Sequence, residues 1–169
     1  GFLITNWLDE MWRKLNKPEN FQVIEVGAGC GTLARAIIDA KPQCLEHGIY
    51  TMVERSEKLR EEQPTSEKLI SAAKIPEVPV VGAVIANELL DNLPFDLLEG
   101  DGECWKEVRI GLMNDQFVEI LTDKRKISVG VHPFKGARIP IQTQAKNCVE
   151  SVLEQMVAGS LLVIDYGST

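Results

Sequence analysis

The apolar residues of this chain follow two spacings, which predict helices and strands in alternation. Between Leu3 and Leu15 they recur every three or four residues, as in a helix with one apolar stripe, and Pro18 ends this pattern. Short apolar runs predict strands, and amphipathic or polar segments predict helices. The strands are expected at 21–26, 50–54, 80–86 and 161–165, and the further helices at 32–40, 57–62 and 144–157, the last capped by Gly159. Strands separated by helices predict an α/β fold with a parallel sheet, whose strands 80–86 and 161–165 are buried.

One segment departs from this alternation. Residues 103–110 and 116–121 alternate in polarity on either side of a Met-Asn-Asp turn, which is typical of a hairpin. We therefore expect a single domain over residues 1–169, with a β-hairpin inserted at about 103–121.

Composition and charge exclude several classes of protein. A chain of 169 residues, 44% of them apolar, can bury a core without a disulfide or a metal. Its apolar runs are far shorter than the roughly 20 residues that cross a bilayer, so no membrane segment is expected. The net charge of −7 argues against a nucleic-acid partner. Scattered cysteines, with no histidine at ligand spacing, predict a reduced intracellular chain without a metal site. Because the chain begins at Gly1, we expect it to be a fragment of a longer protein.

A glycine-rich segment lies where the strand at 21–26 turns into a helix. Gly27, Gly29 and Gly31 leave a backbone that a flat ligand can approach closely. A dinucleotide-binding loop would need a glycine where Thr32 stands. Glu25 would repel a pyrophosphate but attract an ammonium group. The segment therefore favours a ligand that carries a positive charge and no phosphate.

S-adenosylmethionine meets these requirements, and it also carries a ribose diol that needs an acceptor. Glu54 ends the next strand, 23 residues after Gly31, where its carboxylate can accept hydrogen bonds from both hydroxyls. The alternative is that Glu54 pairs with Arg55 or Arg60 at the surface. We expect S-adenosylmethionine as the cofactor, with Glu54 on its ribose.

Polar residues follow the strand at 80–86 and should face the same crevice. These are Asn87, Glu88 and Asp91. The alternative is that Asn87 or Asp91 caps a short helix after the strand. Asp165 and Tyr166 end the last strand on the same side, where they either contact substrate or cap a loop.

Four segments, 21–38, 53–63, 86–94 and 161–167, resemble the MidA-like class I methyltransferases. The strings Ala-Asn-Glu-x-x-Asp-x-x-Pro and Ile-Asp-Tyr-Gly are the most specific. The resemblance implies a Rossmann-like class I methyltransferase fold, a mostly parallel sheet with helices on both faces. It assigns a third strand to 68–71, and it leaves the chain without the last two strands of that fold. The edge at 161–165 would then be open to pair with another chain.

The resemblance also implies an activity and a set of site residues. The family includes a mitochondrial complex I assembly factor that methylates an arginine of a partner subunit. The resemblance thus makes a protein, such as a respiratory complex I subunit, the expected substrate, in the cytoplasm or in the mitochondrial matrix of a eukaryote. Carried over by position, the cofactor contacts are Glu25, Gly27, Ala28, Gly29, Gly31, Glu54, Arg55 and Asn87. With Asn87 near the transferable methyl, Glu88 and Asp91 would clamp the guanidinium, and Glu88 would help to accept its proton.

Two other functions are compatible with the sequence. The domain could be a non-catalytic binding module that acts in complex I assembly, with the hairpin at 103–121 as its working surface. It could also be an NAD-dependent oxidoreductase, which Thr32 disfavours.

Overall fold

The computed structural model describes residues 1–124 and 130–166, and it divides them into two compact units. The first unit contains Gly1–Asn92 together with the chain from Cys148 onward, and the second contains Leu93–Asn147. A single domain over residues 1–169 stays a prediction.

The elements of the first unit alternate between helix and strand as far as its third strand, and the fourth strand follows without an intervening helix. In chain order they are α1 (Phe2–Lys14), β1 (Gln22–Val26), α2 (Thr32–Asp39), a short 3₁₀ helix (Gln43–Leu45), β2 (Ile49–Val53), α3 (Glu57–Glu61), β3 (Leu69–Ala72) and β4 (Val80–Asn87). The second unit contributes β5 (Asp96–Gly100), β6 (Trp105–Met113), β7 (Gln116–Lys124) and β8 (Arg138–Ile141). The chain then passes through α4 (Thr143–Gln155), within which the two units divide, to β9 (Met156–Ile164) in the first unit.

The first unit is built on a five-stranded sheet in the order β3-β2-β1-β4-β9, and every pair in it is parallel. This confirms the predicted α/β fold, including the third strand, which the structure places at Leu69–Ala72. The central strands β1 and β4 are almost entirely buried, because both of their faces are covered.

Each central strand presents alternate residues to two separate cores, as the period of two requires. On one face the strands pack against α1 and α2; this cluster includes Leu8, Val23, Ala34, Ile37, Tyr50, Met52, Ala83 and Ile85. On the other face they pack against α4; this cluster includes Ile24, Val26, Val53, Val84 and Val152. Helices therefore cover both faces of the sheet, as predicted.

The last strand differs from its prediction in burial and in length. Expected as a buried strand at 161–165, β9 instead begins at Met156 and lies at the edge of the sheet, with Val163 and Ile164 41% and 37% exposed. Gly159 lies inside this strand and does not cap α4. An added Cβ at Gly159 would stand 1.8 Å from the carbonyl oxygen of Gly82 on β4, so close approach of two backbones explains this glycine. Pairing of this edge with another chain stays a prediction.

The predicted hairpin is present, but it belongs to a larger sheet. β6 and β7 pair antiparallel across Asn114 and Asp115, both left-handed as a tight hairpin turn requires. β5 and β8 extend the hairpin to a four-stranded antiparallel sheet in the order β7-β6-β5-β8. Sequence reasoning missed these two strands because each is short, and Pro140 within β8 argues against a strand unless it lies at an edge.

Two further findings concern membrane-spanning helices and disulfides. Within residues 1–124 and 130–166, no helix is both long enough and apolar enough to cross a membrane. All four cysteines lie in this part of the chain, and none takes part in a disulfide.

Candidate functional site

The glycine loop between β1 and α2 is fixed to the end of β2 by its own backbone. The N–H groups of Gly27 and Ala28 donate to the carbonyl oxygen of Val53 at 2.9 and 3.0 Å, and the N–H of Gly31 donates to the carbonyl of Ala28 at 2.9 Å. The side chain of Ala28 is buried in the core between the sheet and the helices α1 and α2. Ala28 therefore takes part in the loop through its backbone. Because β1 and β2 are parallel neighbours, the loop and the end of β2 meet at the carboxyl edge of the sheet.

The three glycines share a left-handed backbone but differ in their surroundings. Their φ angles are 75° at Gly27, 53° at Gly29 and 82° at Gly31, which favours glycine at each position. A Cβ at Gly27 would stand 2.8 Å from the side chain of Leu89, and one at Gly31 would stand 2.8 Å from that of Pro64. A Cβ at Gly29 would meet nothing within 4 Å. Gly29 is therefore the point of this loop that a ligand can approach most closely.

Glu54 directs its carboxylate towards the glycine loop. One oxygen, Oε2, accepts a hydrogen bond from the N–H of Gly29 at 3.1 Å, and the other, Oε1, accepts from the N–H of Ser56 at 2.8 Å. Arg60 donates instead to the backbone carbonyls of Glu54 and Arg55, at 2.9 Å each. The hydrogen bonds of Glu54 therefore favour a position against the loop over the surface ion pairs considered as the alternative. Arg55 is exposed, and its backbone carbonyl accepts one of the hydrogen bonds from Arg60.

The two hydrogen bonds leave the Glu54 carboxylate with acceptor capacity. A carboxylate has about four acceptor positions, two on each oxygen, and the N–H groups of Gly29 and Ser56 take one position on each. One position per oxygen remains, which matches the two donors of a ribose diol. The residues present thus fit the sugar of the expected cofactor.

Glu25 is buried on β1, with 4% of its surface exposed, and its Oε2 accepts a hydrogen bond from the Tyr50 hydroxyl at 2.8 Å. Burial raises the pKa of Glu25 to about 7, against an ordinary value of 4.5, and the hydrogen bond from Tyr50 offsets part of this rise. The negative charge of Glu25, which is expected to attract an ammonium group, therefore destabilises the folded chain. Sequence reasoning missed Tyr50, because only the strand register shows that the two side chains share a face: Tyr50 pairs with Val23, two residues before Glu25.

The segment after β4 adopts a strained backbone at the position of the predicted catalytic residues. Glu88 is left-handed with φ 49°, which is uncommon for a residue with a Cβ. Its N–H donates to the carbonyl of Ile164 at 2.7 Å, and its own carbonyl accepts from the Asn92 side chain at 2.8 Å. No helix begins between residues 88 and 95, so the interpretation of Asn87 or Asp91 as a helix cap is wrong.

The end of β9 is attached to this same segment. One oxygen of Asp165 accepts from the N–H groups of Leu90 and Asp91 at 3.1 and 3.3 Å, so Asp165 holds the loop, one of the two roles considered for it. A hydrogen bond from the Tyr166 hydroxyl to Asp91 raises the pKa of Tyr166, and the negative charges of Asp91, Glu88 and Asp165 add to the rise. Three acidic side chains therefore create a negative field at the carboxyl ends of β4 and β9.

The structure thus brings the predicted site residues together in two groups. The glycine loop and Glu54 form one group, and Asn87, Glu88 and Asp91 form the other. Leu89 links them, since its side chain lies beside Gly27. Within the described ranges, no cluster of three or more histidine, cysteine or acidic side chains is arranged to hold a metal ion. The roles assigned to these residues stay predictions.

A parallel sheet with a glycine loop after its first strand, an acid at the end of the second and polar residues after the fourth is the arrangement of class I methyltransferases. Comparison with known proteins identifies the family. A family model described as "Putative S-adenosyl-L-methionine-dependent methyltransferase" matches residues 3–169, so the chain belongs to this family. The predicted MidA-like membership and the predicted cofactor class are confirmed.

Three known proteins are similar to this chain. The protein arginine methyltransferase NDUFAF7 homolog, mitochondrial, of Drosophila melanogaster is 25% identical over 207 residues, covering 99% of this chain and 47% of the relative. Two crystal structures from Burkholderia thailandensis share the fold, each at 22% identity and over 97% of this chain. One is a "likely methyl transferase" bound to S-adenosyl-homocysteine (TM-score 0.79, 46% of that chain), and the other is a native structure (TM-score 0.76, 48%). The chain spans about half the length of the relatives it matches.

The buried carboxyl of Glu25 makes a prediction about stability and pH. Its pKa in the folded chain lies above that of the unfolded chain, so ionisation destabilises the fold as pH rises from about 4.5, and the full cost is present above about 7. Glu25→Gln removes this cost. We expect the variant to gain about 3 kcal/mol relative to the unaltered chain at about pH 8 compared with about pH 4, measured by urea unfolding.

Exposed Glu19 provides the control, because Glu19→Gln removes an acid without changing a buried site. A stability difference between Glu25→Gln and the unaltered chain that is the same at both pH values would show that Glu25 titrates normally.

Proposed function

We propose that this protein transfers the methyl group of S-adenosylmethionine to an arginine side chain of a protein substrate. The observation that carries the proposal is the Glu54 carboxylate, held against the N–H of Gly29 with one acceptor position left on each oxygen. Membership of a methyltransferase family supports the reaction. The name of the Drosophila relative, a protein arginine methyltransferase, supports the acceptor.

In this proposal, different residues of the chain bind different parts of the cofactor. Glu54 would bind the ribose hydroxyls, Gly29 would allow the ligand to approach the loop, and Glu25 would face the ammonium group of the methionine end. S-adenosylmethionine supplies an activated methyl group on a positively charged sulfur. The chain needs only to align an acceptor with that methyl and to exclude water.

The acceptor half of the site is formed by the carboxylates after β4. An arginine guanidinium is planar and always charged, and carboxylates can bind it through paired hydrogen bonds. The negative field that Tyr166 experiences from Asp91, Glu88 and Asp165 would attract such a cation. In this proposal Glu88 and Asp91 hold the guanidinium, Glu88 accepts its proton, and Asn87 lies next to the methyl.

The substrate we propose is a subunit of respiratory complex I, whose assembly the methylation would assist. This assignment comes from the family resemblance. The mitochondrial name of the Drosophila relative supports the mitochondrial matrix as the location in a eukaryote, with the cytoplasm as the location otherwise.

Replacing the proposed ribose acceptor tests cofactor binding directly. Glu54→Gln removes the negative charge and turns an amide N–H towards one of the two backbone donors, so both the loop contact and the diol contact weaken. We expect the affinity for S-adenosylhomocysteine, measured by calorimetric titration, to fall at least tenfold, since a hydrogen bond to a charged group contributes about 1.5–3 kcal/mol.

The matched control is Glu61→Gln, an exposed acid at the end of α3 that touches neither the loop nor the ribose site. Equal affinity of Glu54→Gln and the control would contradict the assignment of Glu54.

Replacing the proposed proton acceptor separates catalysis from binding. Glu88→Gln keeps the shape of the side chain but removes the base and one charge of the guanidinium clamp. We expect transfer of labelled methyl to a candidate complex I subunit to fall roughly 100-fold or more, with affinity for S-adenosylhomocysteine changed less than about threefold.

Glu77→Gln, at an exposed position before β4, serves as the control and should leave both quantities unchanged. Turnover that survives in Glu88→Gln would refute its role as the base.

One observation favours the second candidate, a non-catalytic binding module. Leu112 and Phe117 face each other across the β6–β7 hairpin and are 65% and 84% exposed, which is unusual for large apolar side chains. If the module binds a complex I subunit, Phe117→Ser should weaken that binding about tenfold or more, since burying a phenylalanine contributes about 1.5–3 kcal/mol.

The neighbouring Gln116→Ser is the control, and binding would be measured by titration of the purified subunit. The module hypothesis requires tight binding with no labelled methyl on the subunit. Methyl transfer that is insensitive to Phe117→Ser would instead favour the enzyme.

A further inference from the structure

Gln63 is a buried polar residue whose side-chain amide is hydrogen-bonded at both ends. It lies just after α3, and 6% of its surface is exposed. Its Nε2 donates to the carbonyl oxygen of Gly29 at 2.7 Å, and its Oε1 accepts a hydrogen bond from the Ser71 hydroxyl at 2.6 Å. A buried amide with both ends bonded has a defined position, because losing either partner would leave an unsatisfied polar group.

The two hydrogen bonds of Gly29 act on opposite sides of the same residue. Its carbonyl oxygen accepts from Gln63, and its N–H donates to Glu54. Gly29 is also the glycine of the loop at which an added Cβ would meet nothing within 4 Å, and its φ is left-handed at 53°. The two hydrogen bonds hold the peptide groups on either side of its Cα in this conformation.

A continuous chain of hydrogen bonds therefore runs from β3 to the carboxylate at the end of β2. It passes from Ser71 to Gln63, from Gln63 to Gly29, and from Gly29 to Glu54. The carbonyl and the N–H of Gly29 belong to the two successive peptide groups that meet at its Cα. Displacement of Gly29 would therefore move its N–H away from Glu54 and leave the N–H of Ser56 as the hydrogen bond that the carboxylate keeps. The chain of bonds thus fixes which lone pairs of Glu54 remain available.

We propose that Gln63, supported by Ser71, is a positioning residue for the sugar of the cofactor. It holds Gly29 in place so that the Glu54 carboxylate keeps one acceptor position per oxygen directed at the two ribose hydroxyls. This inference rests on the proposed function and adds to it the residues that set the affinity for a ribose diol.

Gln63→Glu tests the proposal with little change in size. The variant keeps an oxygen for the Ser71 hydroxyl, but it places a second oxygen against the carbonyl of Gly29 where a donor stood. We expect its affinity for S-adenosylhomocysteine, measured by calorimetric titration, to fall about tenfold, and Ser71→Ala to cause a smaller loss in the same direction. Gln116→Glu, at an exposed position in the hairpin, is the matched control and should change nothing.

A second ligand separates positioning from general structural damage. The 2′,3′-dideoxy analogue of S-adenosylhomocysteine lacks the diol, so it cannot use the oriented lone pairs of Glu54. We expect Gln63→Glu and Ser71→Ala to bind this analogue as well as the unaltered chain does. If Gln63→Glu fails to fold, Ser71→Ala makes the same comparison.

The outcomes distinguish this inference from the proposed function. Equal loss of affinity for both ligands would assign Gln63 a structural role and overturn the proposal, as would unchanged affinity for S-adenosylhomocysteine. If the unaltered chain does not bind S-adenosylhomocysteine, the proposed function fails and this inference fails with it.

Discussion

The hydrogen bond between the N–H of Gly29 and the Glu54 carboxylate is the contact on which the candidate site depends. It joins the loop after β1 to the end of β2, two places that lie far apart in sequence but meet at one edge of a parallel sheet. The contact requires a left-handed, uncrowded glycine on one side and an acid at a strand end on the other. Neither the loop nor the acid alone would define a place for a sugar.

Glu25, on the strand that precedes the glycine loop, shows a conflict between stability and ligand binding. The core that forms the sheet surrounds this carboxyl and raises its pKa to about 7, and Tyr50 provides the hydrogen bond that partly compensates. A neutral residue would be easier to bury. The acid is understandable if a positively charged ligand pairs with it, because the ligand would then supply the missing counter-charge. A residue that weakens the fold for the benefit of a ligand is a common feature of functional sites.

Much of the first unit could be predicted from the sequence, because its strands are short apolar runs and its helices are amphipathic. The glycine loop, Glu54 and the residues after β4 were also recognisable, since each follows a predicted strand. Gln63 was not, because it ends a run of charged residues and nothing local indicates that it is buried. Its side chain is hydrogen-bonded to Ser71 and to Gly29, and only the folded chain shows these two contacts. β8 was missed for a similar reason. Pro140 is compatible with a strand only at the edge of a sheet, and only the tertiary structure shows that β8 lies at an edge.

The strained backbone at Glu88 gives β9 a role beyond that of a fifth strand. A left-handed residue with a Cβ costs free energy, so its neighbours must hold it in place. β9 and the residue that follows it do so at two points: the carbonyl of Ile164 accepts the N–H of Glu88, and Asp165 accepts the N–H groups of Leu90 and Asp91. The register of β4 with β9 therefore determines where the acidic segment lies. Changes in the edge strand should thus affect the segment after β4 before they affect the glycine loop, which is fixed independently to β2.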